Sequence, residues 1–145
     1  MSGEKLKSTK LIGDAGEFYV AFSLARRGVH PAILSSNTSG ADILVTDDGE
    51  NVISIQIKSS SARMLPRVWK VDKKPNPSDN FFFVFLNMYD DESKPIECFI
   101  VPSHDVVKYT TWNNVWHNFK ITKTMEPDYA ERWDLILSNL KSLKI

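Results

Sequence analysis

The chain has 145 residues, 42% of them hydrophobic, and its 18 basic and 18 acidic residues leave no net charge. That length suits one domain with a core of its own, and the balanced charge excludes a whole-protein field that would draw it to nucleic acid or anionic lipid, so any polyanion site must be local. The single cysteine, Cys98, excludes an internal disulfide framework and fits a reducing compartment.

The first residues, Met1 to Lys5, show no apolar core of a signal peptide, and no apolar run reaches membrane length, so a soluble, cytoplasmic protein is expected. The histidines, His30, His104 and His117, lack the spacing of zinc ligands. A helix is predicted from about Lys10 to Arg27, where Leu11, Ala15, Phe18, Phe22 and Ala25 recur at steps of three and four and make the apolar stripe expected to be buried. Gly28 suits a left-handed cap, Arg26 and Arg27 complement the dipole of the last turn, and Pro31 blocks resumption. Glu17 lies roughly 120° from the stripe, beside Val20 and Ala21 one turn on, while Gly13 and Gly16 would let another backbone come close.

A strand near Ala32 to Ser35 and a polar turn to Gly40 precede an apparent hairpin, Ala41 to Thr46 and Val52 to Lys58 around Asp47-Asp48-Gly49-Glu50. Alternation puts Ser54, Gln56 and Lys58 on one face and Ile53, Ile55 and Ile57 on the other. A two-residue Asp48-Gly49 loop would pair Asp42 with Ile55 and send it to the apolar face. A three-residue loop would set Asp42 opposite Ser54, diagonal to Gln56, and a polar site needs this even register.

From Ser59 to Asp79 periodicity lapses and Pro66, Pro75 and Pro77 appear, which predicts a long loop with a short strand at Val68 to Val71. Arg63, Arg67, Lys70, Lys73 and Lys74 outweigh Asp72 and Asp79 there, and Trp69 is available for packing or stacking, so the loop is a candidate nucleic-acid-binding segment. Phe81 to Leu86 reads as a strand buried on both faces, Glu97 to Val101 as another strand, and Pro102-Ser103 opens a short helix to about Tyr109. Trp112 and Trp116 recur at helical spacing before Phe119 and read as core or cover. Pro127 starts a final helix to about residue 144, with Tyr129, Trp133, Ile136, Leu137, Leu140 and Leu143 as its buried stripe. No linker or repeat divides the chain, so one α/β domain over residues 1–145 is expected.

Glu17 in the first helix, Ala41-Asp42 at the start of one strand and Gln56-Ile57-Lys58 ending the next, in that order, resemble the PD-(D/E)XK nucleases, over roughly residues 11 to 105. The similarity is closest to Holliday-junction-resolvase-like and methylation-directed restriction endonuclease domains. It implies a restriction-endonuclease-like three-layer sandwich, a mixed central β-sheet flanked by helices, in an enzyme that hydrolyses DNA phosphodiester bonds with magnesium or manganese. Homodimers acting on double-stranded or branched DNA are the assembly it implies. Carried over residue by residue, Asp42, Gln56, the Ile57 carbonyl and Glu17 become the metal ligands. Asp42, Gln56, Lys58 and Glu17 become the catalytic set, with Lys58 orienting the attacking water or holding the phosphate.

Two positions depart from the family pattern. Ala41 replaces a proline that supplies no ligand atom. Gln56 replaces the second carboxylate, and its neutral amide oxygen lowers the expected metal affinity. The alternative reading is a catalytically inactive nuclease-like domain that binds DNA or a protein partner, and a third is an assembly subunit with no nucleic acid at all.

Overall fold

The computed structural model describes residues 9–35, 40–47, 51–62, 67–113 and 117–140. Helix α1 (Thr9–Arg26) closes as its sequence demands. Gly28, at φ +90°, donates to the Ala25 carbonyl, and the next amide, Val29, donates back to Leu24, so a left-handed glycine satisfies the last carbonyls. The chain then turns into an edge strand, β1 (His30–Ile33), two residues earlier than its composition suggests. Strands β2 (Ile43–Thr46) and β3 (Val52–Ala62) follow, then β5 (Phe81–Tyr89) and β6 (Glu97–Pro102). They form a five-stranded sheet in the order β1-β2-β3-β5-β6, antiparallel except where β3 and β5 run parallel. This is the mixed central sheet expected.

Strand β3 is longer than its β-branched run. Ser59 to Ser61, expected in a loop, remain in the strand because β5 pairs with it in parallel from Ser54 opposite Phe81 to Ala62 opposite Tyr89. A deeply buried partner strand therefore overrides the weak strand propensity of serine. Beyond it, β4 (Val68–Lys70) is the short strand anticipated in the loop, and it joins β8 (His117–Lys120) and β7 (Thr111–Trp112) in a second, three-stranded sheet. Trp112 and Phe119 accordingly sit on strands and not on a helix, which corrects the reading of their spacing. Helix α2 (Ser103–Tyr109) is where the sequence puts it.

The five-stranded sheet separates two apolar cores. On one face Val20 and Leu24 of α1 pack on Ile43, Ile53, Ile55, Val84 and Ile100, with Trp133 and Ile136. On the other, Phe83, Phe85 and Phe99 meet Trp69 and Phe119 of the small sheet and Val106 of α2. The rings of Phe83, Phe85 and Phe119 stack in sequence, with centroids 5.7 and 4.8 Å apart. Trp69 is buried among them and donates its indole N–H to the Leu86 carbonyl at 2.9 Å, so it packs and does not stack on a ligand.

Two expectations are overturned here. The final helix is broken into single turns, α3 (Glu126–Tyr129) and α4 (Asp134–Leu137). Between them Ala130 bridges to Phe99 and Glu131, at φ 53°, donates its amide to the Cys98 carbonyl, so pairing with β6 interrupts the helix while Tyr129, Trp133, Ile136 and Leu140 are still buried. The stripe of α1 is reversed as well: Leu11, Phe18 and Phe22 are exposed, and Gly16, Val20, Ser23 and Leu24 face the sheet. Trp116 and Leu143, the turn residues 36–39 and Asp48, Gly49 and Glu50 lie outside the described residues. Among the described residues no helix is long and apolar enough to cross a membrane.

Candidate functional site

The register of the β2–β3 hairpin decides where Asp42 goes. Ile43 faces Ile55, Leu44 faces Ser54 and Thr46 faces Val52, so the connection is two residues longer than the three-residue loop, and the parity is the even one a polar site needs. At the mouth of the hairpin, Asp42 donates its amide to the Ile55 carbonyl at 2.8 Å, although Ile43 already faces Ile55. Two residues thus answer to one, the geometry of a bulge, which re-aims a side chain.

The Asp42 carboxylate uses that freedom. Strand β2 no longer reaches Ile57, whose N–H points to the same edge as that of Ile55, and Asp42 Oδ2 accepts it at 2.7 Å. A strand residue's carbonyl shares the edge of its amide, so Ile57 C=O is directed to the side where Asp42 lies. Asp42 therefore sits in the plane of the sheet, at the end of β2.

The other candidates approach it from the two faces. Lys58 and Gln56 stand on the face shared with Phe83 and Phe85, opposite the Ile53 and Ile55 side chains that pack under α1. Glu17 comes from α1 on the opposite face. Burial raises the Asp42 pKa above its usual 3.8, against the lowering effects of the Ile57 amide and the Lys58 charge. Burial also raises Glu17 above 4.5, with the charges of Asp42 and Asp14 adding to it. Asp42 is thus in electrostatic reach of Lys58 and Glu17 at once. Gln56 is half-buried, two residues along the same strand face from Lys58.

Lys58 already has an anionic partner. Its Nζ lies 3.3 Å from Asp72 Oδ2, and Lys70 Nζ is 3.9 Å from the other oxygen of the same carboxylate. Spacing gave no signal for Asp72, because the contact joins β3 to the segment after β4 through tertiary structure alone. Asp14 was legible, since it stands three residues before Glu17 on one helix.

The basic residues of the β3–β5 connection divide into two kinds. Lys70, Lys73 and Lys74 are exposed, with Lys74 Nζ 6.0 Å from the centre of the Trp112 ring. Arg67 differs: only 16% exposed, it bonds Glu126 at 2.8 Å and Glu97 at 2.9 Å and lies over the Phe99 ring. Its guanidinium ties β4 to β6 and α3 and is not presented to a phosphate, contrary to the sequence reading. Arg63 lies outside the described residues. Arg67→Ala is expected to lower the unfolding free energy by about 2 kcal/mol, since it strands two partly buried carboxylates. Urea melts check the stability loss. The salt dependence of any DNA binding should be left unchanged, whereas Lys73→Ala and Lys74→Ala should each reduce the slope.

No protein-family model matches this sequence, and no curated protein is similar to it. Solved structures are. A bacterial homing endonuclease, I-Ssp6803I, superposes over 92% of this chain and 94% of its own with a TM-score of 0.64 at 20% identity. This chain shares that protein's fold, a restriction-endonuclease-like mixed sheet flanked by helices. The Holliday junction resolvase Hjc of Archaeoglobus fulgidus is matched more loosely, with a TM-score of 0.42 and 15% identity over 77% of this chain and 92% of that one. Within this fold, the central sheet, α1 and the hairpin bulge are the elements that carry Glu17, Asp42, Gln56 and Lys58. Among the described residues, no three histidine, cysteine, aspartate or glutamate side chains are grouped closely enough to hold a metal ion between them.

Proposed function

We propose that this protein is a metal-dependent endonuclease that hydrolyses DNA phosphodiester bonds at Asp42, Gln56, Lys58 and Glu17. The observation that carries the reading is the half-buried Asp42 carboxylate, held in the sheet plane by the Ile57 amide and in electrostatic reach of both Glu17 and Lys58.

The donor set fits magnesium or manganese in kind. It offers two carboxylates, Asp42 and Glu17, that burial makes costly to ionise without a counter-charge, together with the Gln56 amide oxygen and the Ile57 carbonyl. A hard cation that keeps several of its waters needs no more than one or two protein carboxylates. When bound, such a cation polarises a phosphoryl oxygen and acidifies a water. The chain's own residues do the rest. Asp42 is fixed by the Ile57 amide, so its free oxygen keeps one orientation. Lys58 supplies a compact positive charge, and an incoming phosphate would replace Asp72, whose exposed ion pair costs little to exchange. Lys70, Lys73 and Lys74 would line the path of the backbone.

The test is incubation with supercoiled, linear, single-stranded and branched DNA in magnesium or manganese. Wild type is expected to cut at least one of them, and Asp42→Ala and Lys58→Ala to cut it at least about a hundredfold more slowly. No cleavage of any substrate, or equal cleavage by the variants, overturns the enzyme reading. The missing third acid beside Gln56 favours one other reading, a domain that binds DNA or a protein partner without cutting. Salt-sensitive DNA binding with no cleavage in either metal would select its DNA-binding form.

A further inference from the structure

Lys58 is approached past one acidic side chain. Only 19% of the lysine side chain is exposed, against 70% of Asp72, whose Oδ2 lies 3.3 Å from its Nζ. Lys70 Nζ, 3.9 Å from Oδ1, flanks the same carboxylate, so each of its oxygens faces an ammonium. Two lysines would hold a phosphate by its free oxygens in the same way. The backbone beneath is anchored. Val71 is buried and donates its amide to the His117 carbonyl at 2.7 Å, and His117 Nδ1 lies 3.2 Å from the Asp72 carbonyl. Only the side-chain torsions of Asp72 are left free, so its carboxylate can swing into solvent without moving the chain. The sequence around it, Lys70-Val71-Asp72-Lys73-Lys74, is otherwise basic. A solvated loop needs no particular charge at position 72, whereas a carboxylate there neutralises a lysine that solvent scarcely reaches.

We infer that the Asp72 carboxylate stands where a substrate phosphate goes, and that it makes Lys58 selective for a run of phosphates over a lone anion. The inference rests on the endonuclease reading, which makes Lys58 a phosphate ligand, but its test requires no cleavage. A lone anion that displaces Asp72 exchanges one negative charge for another, and Asp72, tied by its backbone, stays close and repels it. Little is gained. A nucleic-acid strand gains more, since its neighbouring phosphates also meet Lys73 and Lys74, both exposed. Lys58 is in electrostatic reach of Asp42 as well, so the phosphate that takes the place of Asp72 arrives beside the proposed donor set.

Binding of a fluorescent single-stranded oligonucleotide, followed by anisotropy over a range of salt with a chelator present, tests it. Asp72→Asn keeps the shape of the side chain and removes its charge. It should bind up to about fivefold more tightly than wild type, the range of an exposed ion pair. Its plot of log affinity against log salt should be steeper by about 0.7, because Lys58 and Lys70 with their shared partner change from one net positive charge to two. Inorganic phosphate, added at constant ionic strength, should compete with the oligonucleotide on Asp72→Asn and not on wild type. Asp79→Asn removes another exposed charge from the same connection, one paired with His104, and should leave slope and competition as in wild type. An Asp72→Asn variant with no gain in affinity or slope overturns the proposal, as does an Asp79→Asn variant that matches it. Equal competition by phosphate on wild type and Asp72→Asn overturns it too, and so does a failure of both to bind the oligonucleotide. The endonuclease reading fails separately: Asp72→Asn then binds as expected, and neither protein cuts DNA in magnesium or manganese.

Discussion

Asp42→Asn is expected to reduce cleavage by at least about a hundredfold and yet to melt no lower than wild type at pH 7. The two effects share a cause. Asparagine keeps an oxygen that can accept the Ile57 amide, so the bulge and the end of β2 retain their tie. It removes a charge that burial makes unfavourable. The sign follows from the direction of the shift: folding raises the Asp42 pKa above 3.8, so the native state binds this proton more tightly than the unfolded chain does. The associated stability is fully present below pH 3.8 and is lost as the pH rises through the native value. At neutral pH wild type carries the whole penalty and the asparagine variant carries none, a difference that solvent screening of this half-buried carboxylate keeps small. Thermal melts between pH 4 and pH 8 should show the gap closing toward acid. Magnesium should raise the melting temperature of wild type more than that of Asp42→Asn, because the variant leaves Glu17 as the one remaining carboxylate of the proposed donor set. A variant less stable than wild type across that range would show that the carboxylate is there to hold the hairpin and not to act.

The same bulge marks how far the sequence could be read. Alternation in β3 was enough to sort Ser54, Gln56 and Lys58 from the isoleucines, because period two survives any error in strand length. Neither the parity of the hairpin nor its loop length was legible, since the side chains flanking a turn do not report how many residues turn, and only the strand register settles on the even alternative. Phe81 to Leu86 announced a doubly buried strand through unbroken apolarity. What failed was every inference from apolar spacing taken without its partner. The row Leu11, Phe18 and Phe22 outranks Val20 and Leu24 by size, yet small residues, Gly16 and Ser23, are what let α1 lie close on the sheet. Tyr129 to Leu140 kept its burial and lost its helix, because the edge of β6 claimed Ala130 and Glu131. Ser59 to Ser61 became strand because β5 lay alongside. In each case a long-range pairing, invisible to a window of local sequence, outweighed local preference.

Gly16→Val should test how closely α1 must approach. In an isolated helix, replacing glycine gains stability, by about 1 kcal/mol for alanine. Here the sign is expected to reverse, with a loss of about 3 kcal/mol. A side chain at position 16 would start inside the space of the Ser59 hydroxyl, 3.1 Å from the Leu86 methyl and 3.2 Å from Ser59 Cβ. The hydroxyl and the methyl can turn aside, but Ser59 Cβ is fixed to its strand, so the bulk of valine is expected to lift the helix. Ser59 makes the contact specific: its hydroxyl is buried with no hydrogen-bond partner, so Ser59→Ala alone should be neutral or slightly stabilising. Combining Gly16→Ala with Ser59→Gly should then recover most of what Gly16→Ala alone loses, a coupling that a double-mutant cycle in urea measures directly. If the two changes simply add, α1 is not held by this contact. The functional consequence is larger than the stability term. Glu17 is the next residue, and its interaction with Asp42 depends on how near the helix lies to the sheet. Lifting α1 should therefore slow cleavage beyond the fraction of molecules unfolded. The Ser59→Gly partner should restore rate and stability together, since one close approach of helix to strand sets both.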